Sequence, residues 1–328
     1  MKRLFGLIGL IGLWLISSAL VTAQEVTLEP SAALPTLPPT PTPVPRPYPA
    51  GTLTQERVTL ETFFTTLSQG VAGLLRVTGT GLSGCSVRFI NKMVDCFLVP
   101  DDGFFALVVV NMEQNPRKYP LDVFAWFEDA ARQTVNTEVE VTGTNFIKQN
   151  VELAPDKVYL IDPEVERTEF ARLESIFATV TPERLWAGQG FQLPILGSEL
   201  TSPFGAFRTF NQSFQTRHTG WDIRAALGQP IMAIGAGKVA YTGFMDIRGN
   251  IVIIDHGYGI YSTYSHLSQT HVTRGQSVNE GQIIGLVGNV GRTSGAHFHW
   301  EVAINGEFVD STQFIQLWLP GLGPATVG

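Results

Sequence analysis

The chain has 328 residues, of which 44% are hydrophobic and 16% are charged, so it can build packed cores and lacks the composition of a disordered protein. Its formal net charge is −7, from 22 basic and 29 acidic residues, and no basic stripe runs along it, which argues against nucleic acid as a partner. At roughly one domain per 150 residues, the length favours two folded domains.

Residues 1–23 are typical of an export segment. Two basic residues at positions 2 and 3 precede the apolar run 4–21, and Val21 and Ala23 fit the small-residue pattern before a signal-peptidase cut. The run is also close to a membrane-spanning length, so a cleaved signal peptide and a retained membrane anchor through residues 4–22 both stay open. Either interpretation places the rest of the chain in the periplasm, the cell envelope or the extracellular space.

Residues 24–50 form a Pro/Thr-rich linker, which reads PSAALPTLPPTPTPVPRPYP over positions 30–49. Such a composition predicts an extended, semi-rigid spacer without a core of its own.

Residues 51–160 predict a β-rich domain. Positions 103–111, 119–127 and 134–143 read as strands, and turn signals separate them. About 110 residues of short strands are typical of an immunoglobulin-like β-sandwich. The two cysteines of the chain, Cys85 and Cys96, suggest a disulfide across a hairpin in an exported protein, with two buried free thiols as the alternative.

Residues 161–190 predict a helical connector. Asp162 is a candidate N-cap followed by a first-turn proline, and Phe170, Leu173 and Phe177 fall on one helical face. The start signal is repeated at Thr181, which predicts a second, shorter helix.

Residues 191–315 return to short strands bounded by glycines, ahead of a tail at 316–328. The fold class is therefore mostly β, with a sandwich, a short helical connector and a C-terminal antiparallel β-sheet domain. All six histidines of the chain lie at or after position 218, which makes this last domain the candidate for chemistry.

The stretch SGAHFHWEV carries an H-x-H pattern in a predicted strand. Because side chains alternate between strand faces, His297, His299 and Glu301 share one face, whereas Phe298 and Trp300 point to the core. A lone H-x-H is a weak metal signal, and surface histidines are its ordinary alternative. Glu301 reads either as a residue that orients a ligand histidine or as a solvent-side strand residue.

Two further segments supply the remaining candidates. RHTGWD spaces His218 and Asp222 as H-x-x-x-D, a pair suited to zinc, although Asp222 would equally suit an ion pair with Arg217 or Arg224. YSTYSHLS contains His266 at the predicted end of the strand, and alternation places it on the same strand face as Tyr264.

Together these residues point to a catalytic zinc site. His218, Asp222 and one histidine of the H-x-H pair make a three-ligand set, and three protein ligands leave the open position of a catalytic zinc ion. The other histidine and His266 remain available to move a proton or to stabilise an oxyanion. The reaction class that these groups suit is metal-assisted amide hydrolysis.

RHTGWDI, YSTYSHLS and GQSVNEGQIIGLVGNVGRTSGAHFHWEV resemble the lysostaphin-type (LytM-like) zinc metallopeptidases, which cut peptide cross-links of peptidoglycan. The resemblance covers about residues 187–313. It implies one zinc ion held by His218, Asp222 and His299, and catalytic roles for His266 and His297. Some members of that family carry an asparagine that blocks the zinc in a latent form; Asn211 precedes the first motif here, but its spacing does not establish that role.

The resemblance implies an exported zinc metalloendopeptidase that hydrolyses peptidoglycan peptides. Two alternatives stay open: a non-catalytic module of the same fold that binds the cell wall or regulates other hydrolases, and a zinc peptidase for ordinary proteins. New amine ends released from purified peptidoglycan would separate the first alternative from the enzyme.

Overall fold

The computed structural model describes residues 46–186 and 190–320. The export segment predicted at 1–23, residues 24–45 of the predicted linker and residues 321–328 of the predicted tail lie outside the described residues. Over the two described ranges, no helix combines the length and apolar character needed to cross a bilayer.

Short strands fill the first half of the described chain. They are β1 (Gly51–Gln55), β2 (Val58–Thr62), β3 (Thr66–Ser68), β4 (Ala72–Thr78), β5 (Leu82–Phe89), β6 (Lys92–Asp95), β7 (Phe97–Val99), β8 (Gly103–Val109), β9 (Lys118–Phe127), β10 (Arg132–Thr142) and β11 (Lys148–Val151). The first ten form two five-stranded sheets, in the orders β1-β2-β4-β8-β7 and β3-β10-β9-β5-β6.

The two sheets enclose one apolar cluster. Val135, Val139 and Val141 of β10 are buried between exposed or half-buried neighbours, as alternation along a strand requires. Leu75 of one sheet and Val123 of the other belong to the same cluster. The predicted strands at 103–111, 119–127 and 134–143 are confirmed, whereas the immunoglobulin-like type stays a prediction.

A disulfide joins Cys85 in β5 to Cys96 just after β6, with the two Cα atoms 5.4 Å apart. The backbone N–H of Cys96 also donates to the Cys85 carbonyl, at 2.9 Å. Because β5 and β6 pair antiparallel, the bridge closes a hairpin. The pairing agrees with the disulfide interpretation of the two cysteines.

A 3₁₀ helix (Pro155–Ile161) and the helix α1 (Pro163–Phe177) connect the two halves. The Asp162 side chain caps α1 by accepting the Glu164 N–H at 2.9 Å. Leu173 and Phe177 are buried against the C-terminal sheet, and Phe170 packs beside them. The predicted cap and apolar face of this helix are therefore confirmed.

The second helix predicted at Thr181 is wrong, because the described residues 178–186 form no helix. The Thr181 carbonyl accepts the Tyr258 N–H at 2.7 Å, and the Leu185 N–H donates to the His256 carbonyl at 3.0 Å. The backbone N–H and C=O groups of this segment therefore bond to a neighbouring hairpin of the C-terminal sheet instead of to one another in a helix.

The second half contains the remaining elements. They are β12 (Leu200–Ser202), β13 (Phe207–Phe210), β14 (Phe214–Arg217), β15 (Trp221–Ile223), β16 (Pro230–Met232), β17 (Gly237–Met245), β18 (Gly249–Gly257), β19 (Ile260–Thr270), β20 (Ser277–Val278), β21 (Ile283–Val287), β22 (Phe298–Ile304), β23 (Glu307–Val309) and the short helix α2 (Ser311–Phe314).

The main sheet runs β12-β15-β22-β19-β18-β17-β20, and its strand pairs are antiparallel. The predicted mostly-β class with a C-terminal antiparallel sheet is thus confirmed. A separate three-stranded sheet joins the halves, because β11 pairs in parallel with β13 of the β13–β14 hairpin.

The core of the C-terminal sheet extends into the first half. Phe298 and Trp300 of β22 are fully buried in it, as alternation predicts for the face opposite His299. Leu74 and Phe105 of the first half belong to the same cluster. The candidate site is therefore built on a sheet whose apolar side is covered by both halves of the chain.

Candidate metal-binding active site

Three of the predicted residues lie side by side at one end of the main sheet. Asp222 of β15 is the cross-strand partner of His299 of β22, so the two side chains share a face. His218 follows β14 directly, and its Nε2 lies 3.1 Å from Asp222 Oδ1 and 3.0 Å from His299 Nδ1. His299 Nδ1 is 2.9 Å from Asp222 Oδ1. One ligand atom from each of the three residues lies within 4.8 Å of the other two.

The groups on the far side of each ring bear on which of its nitrogens can bind a cation. His218 Nδ1 lies 2.7 Å from the Pro203 carbonyl, which can only accept, so Nδ1 carries the hydrogen and Nε2 presents a lone pair. His299 Nδ1 donates to Asp222 Oδ1 at 2.9 Å, and its Nε2 lies 3.3 Å from Glu301 Oε1, so a hydrogen kept on Nε2 would face that carboxylate when a cation takes Nδ1. His218 Nε2, His299 Nδ1 and Asp222 Oδ1 thus converge, and a divalent cation that displaces the hydrogen on His299 Nδ1 fits this donor set.

The charges of the first two residues also suit a metal. Burial lowers the pKa of His218 to about 4, so its imidazole is neutral at pH 7. Burial disfavours the charge on Asp222, but His218 and Arg208 hold the pKa of its carboxyl well below the usual range. Neutral imidazole and ionised carboxylate are the forms in which these side chains bind zinc.

The pKa of the third residue is shifted in the opposite direction. Burial opposes a charge on His299, but the Glu301 carboxylate and Asp222 outweigh it and raise the pKa of the imidazole. A cation at this position therefore competes with a proton for Nδ1, and its binding releases that proton.

Asp222 is held by a residue that the sequence did not indicate. Arg208 Nη2 donates to Asp222 Oδ2, which leaves Oδ1 directed at the two histidines. The expected ion-pair alternatives for Asp222 are wrong, because Arg217 pairs with Glu113 and Arg224 pairs with Glu199. Arg208 lies in β13, and no local motif connects it to Asp222, since only the folded hairpin brings the two together.

His297 and His266 lie against the three-residue cluster. His297 Nε2 is 3.4 Å from Asp222 Oδ1, and its Nδ1 lies 2.9 Å from the Gly295 carbonyl. His266 Nδ1 lies 2.8 Å from the Val290 carbonyl. The two rings are 4.9 Å apart between centroids, and both direct Nδ1 to a carbonyl, so Nε2 is the acceptor nitrogen of each neutral ring.

The strand face expected for His266 is wrong. Tyr264 is buried in the apolar core, where its hydroxyl accepts the Ile234 N–H, whereas the His266 ring lies 5.7 Å from the His299 ring between centroids. The cause is a β-bulge: Val252 pairs with Tyr264, but Asn250, two residues earlier, pairs with Leu267. His266 adopts a φ of 60°, which turns its side chain out of the alternation.

Glu301 is fully buried, so its interpretation as a solvent-side residue is wrong. It contacts His299, Thr219 and Arg248. Asn211 makes no described contact with the cluster; its side-chain oxygen accepts the Leu153 N–H at 2.7 Å. Glu301 therefore lies next to the candidate ligand His299, whereas Asn211 lies next to the chain that leads into the connector.

Comparisons with known proteins find similar proteins for the region that contains the five candidate residues. Residues 216–311 match the family described as Peptidase family M23, and all five candidate residues lie within that range. A crystal structure of a putative peptidase M23 from Pseudomonas aeruginosa shares the fold with a TM-score of 0.57 at 25% identity, over 76% of this chain and 96% of that chain.

Two curated relatives share the same region. The DD-carboxypeptidase/endopeptidase Mpg of Neisseria meningitidis serogroup B is 37% identical over 123 residues, which cover 37% of this chain and 28% of the relative. The peptidoglycan DD-endopeptidase ShyA of Vibrio cholerae serotype O1 is 40% identical over 94 residues, or 29% of this chain and 22% of the relative. The chain thus matches about a quarter of the length of these relatives.

Proposed function

Residues 216–311 belong to peptidase family M23, and on that premise we propose that the chain is an exported zinc metalloendopeptidase that hydrolyses peptide cross-links of bacterial peptidoglycan. The observation that carries this proposal is the convergence of His218 Nε2, Asp222 Oδ1 and His299 Nδ1 beside two further histidines. The names of the two relatives, a DD-carboxypeptidase/endopeptidase and a peptidoglycan DD-endopeptidase, support the substrate class. The basic and apolar N-terminal segment supports a location in the periplasm, the cell envelope or the extracellular space.

In this proposal His218, Asp222 and His299 hold one zinc ion. Zinc in such a site supplies a Lewis acid that polarises a carbonyl and lowers the pKa of a water molecule toward about 7. Arg208 fixes the Asp222 carboxylate, and the Pro203 carbonyl fixes the His218 ring, so the ligand atoms are oriented before a cation arrives.

His266 and His297 are the proposed proton-transfer groups. Burial, together with His297 and His299, holds the pKa of His266 well below its usual range, so its ring is neutral at pH 7 and can accept a proton at Nε2. The carbonyls of Val290 and Gly295 hold the Nδ1 side of the two rings. Each ring can therefore take a proton from the attacking water, or donate one to the oxyanion or the leaving amine after it has been protonated.

Alanine substitutions separate metal binding from proton transfer. We expect His218→Ala or Asp222→Ala to abolish both bound zinc and the release of new amine ends from purified peptidoglycan. His297→Ala is expected to keep zinc and to lower the rate of amine release by about 10²-fold or more, since a positioned acid–base group contributes about 10²–10⁴-fold. His271→Ala, at an exposed histidine, is the matched control.

Zinc content is measured by elemental analysis, and the bond that is cut is identified by mass spectrometry of digested peptidoglycan. Hydrolysis retained in a metal-free variant would falsify the mechanism. A zinc-loaded wild-type chain that binds the wall without releasing amines would instead establish the non-catalytic module. Preferential cleavage of casein over peptidoglycan would move the substrate to ordinary proteins.

A further inference from the structure

Glu169 is a buried carboxylate in the connecting helix α1, outside the part of the chain that matches the peptidase family. Its Oε2 accepts the Ile247 N–H at 2.7 Å. Its Oε1 accepts the Arg248 N–H at 3.2 Å and the Arg248 Nη1–H at 2.9 Å. One side chain of the connector thus holds both the backbone and the guanidinium of the short turn between β17 and β18.

Arg248 carries this contact toward the candidate site. Its Nε donates to Glu301 Oε2 at 2.8 Å, and its Nη2 donates to Glu301 Oε1 and, at 3.3 Å, to Thr219 Oγ1. Thr219 in turn donates to Glu301 Oε1 at 2.5 Å. The four side chains are each less than a tenth exposed, so water does not screen these interactions.

Two branches of this network end on site residues. Glu301 Oε1 lies 3.3 Å from His299 Nε2, on the opposite side of the ring from the candidate metal. The backbone carbonyl of Arg248 accepts the His266 N–H at 2.7 Å, at the bulge that turns this histidine into the site. The contacts of Glu169 therefore lead to one candidate metal ligand and to one candidate proton-transfer group.

The buried charges of Glu169 and Arg248 are not required to attach α1 to the sheet. Leu173 and Phe177 already bury the apolar face of α1 against the sheet. A buried ion pair contributes little net stability, since desolvation of the two charges offsets most of their attraction, but its directional bonds set orientation. The forked contact between Arg248 and Glu301 fixes the carboxylate plane that faces His299.

We propose that Glu169 is a positioning residue of the peptidase site. This proposal rests on the zinc site proposed above. Through Arg248 and Glu301, Glu169 orients the His299 imidazole for the metal, and through the backbone of residues 247–248 it holds His266 at the bulge. The connecting helix is then a functional part of the site in addition to linking the two halves.

Zinc affinity in the full chain tests the relay. We expect Glu301→Gln to weaken zinc binding about 10- to 100-fold, as is usual when a carboxylate behind a ligand histidine is lost, and Glu169→Gln to weaken it about 10-fold. Because Glu169 acts through Glu301, the double variant should bind zinc about as weakly as Glu301→Gln alone. Glu174→Gln, at an exposed position of the same helix, should match the wild type.

Competition with a chromophoric zinc chelator gives the affinities, and cobalt absorption spectra report the ligand geometry. Wild-type affinity in Glu169→Gln, or losses that multiply in the double variant, would contradict the relay. If Glu169→Gln does not unfold cooperatively, Glu169→Asp replaces it in the test. Glu169→Asp keeps the charge on a shorter side chain and should weaken zinc binding severalfold. A chain that binds zinc with this dependence but releases no amines would overturn the proposed function and leave the relay intact.

Discussion

At the scale of single residues, the site depends on one side chain in an unfavourable backbone region. His266 has a φ of 60°, where a residue with a Cβ atom is strained by about 1–2 kcal/mol. The strain accompanies the bulge in β19, and without the bulge the ring would point to the core beside Tyr264. The position of His266 is therefore maintained by its neighbours, which include the carbonyls of Arg248 and Val290.

We expect His266→Gly to be more stable than His266→Ala in the metal-free chain, by about 1 kcal/mol, because glycine adopts this conformation without strain. Urea unfolding measures the difference. At Gln269, an exposed position of the same strand without a positive φ, glycine should instead be less stable than alanine by about 0.5–1 kcal/mol. If the stability difference between the glycine and alanine variants had the same sign at both positions, the backbone at His266 would be unstrained.

At the scale of elements, the 3₁₀ helix (Pro155–Ile161) and α1 support the loop at 288–297 that orients both proposed proton-transfer groups. Lys157 Nζ donates to the carbonyls of Asn289 and Thr293, at 3.1 Å and 3.0 Å. Glu166 of α1 accepts from Arg292 Nη1 at 2.5 Å. The same loop supplies the carbonyls that accept from His266 and His297, so the connector contacts the loop that holds the Nδ1 side of both rings.

Lys157→Met should therefore lower kcat for peptidoglycan hydrolysis by about 10-fold while the zinc affinity stays within about twofold of the wild type. Its contacts reach the loop and not the three candidate ligands, and small displacements of catalytic groups are costly to rate. Lys148→Met, at an exposed lysine of β11, is the control. An unchanged kcat, or a loss of zinc, would show that Lys157 does not act through the loop.

At the scale of the whole molecule, the two halves share one apolar core. Phe105 of β8 is fully buried in the cluster that contains Trp300 of β22 and Phe314 of α2. The parallel pairing of β11 with β13 adds a second connection. Because these contacts cross between the halves, unfolding of one half exposes apolar surface of the other.

We expect a single cooperative thermal transition for the described part of the chain. Phe105→Ala should lower the free energy of unfolding by about 3–5 kcal/mol and shift the whole transition, since truncation of a buried aromatic leaves a cavity in the shared core. Calorimetry measures the shift, with Met93→Ala as the control at an exposed apolar residue. Two separate transitions, of which Phe105→Ala moved only one, would mean that the halves are energetically independent.

Local patterns in the sequence were sufficient for several of these features. Alternation placed Phe298 and Trp300 in the core and His299 on the opposite face, and the Asp162 cap with its following proline located the start of α1. The spacing of His218 and Asp222 selected two residues that the structure brings next to His299. Each of these depends on periodicity or on contacts only a few residues apart.

Tertiary structure alone decided the partners of those residues. Arg208 reaches Asp222 through a folded hairpin, and Glu169 reaches Arg248 across 79 residues of sequence. The direction of His266 depends on a bulge, and the residue pattern of β19 does not reveal where its pairing with β18 slips. Strand register and the docking of α1 determine these contacts. The buried charged and polar side chains need partners, and the residues that satisfy them are distant in the sequence and meet only in the folded chain.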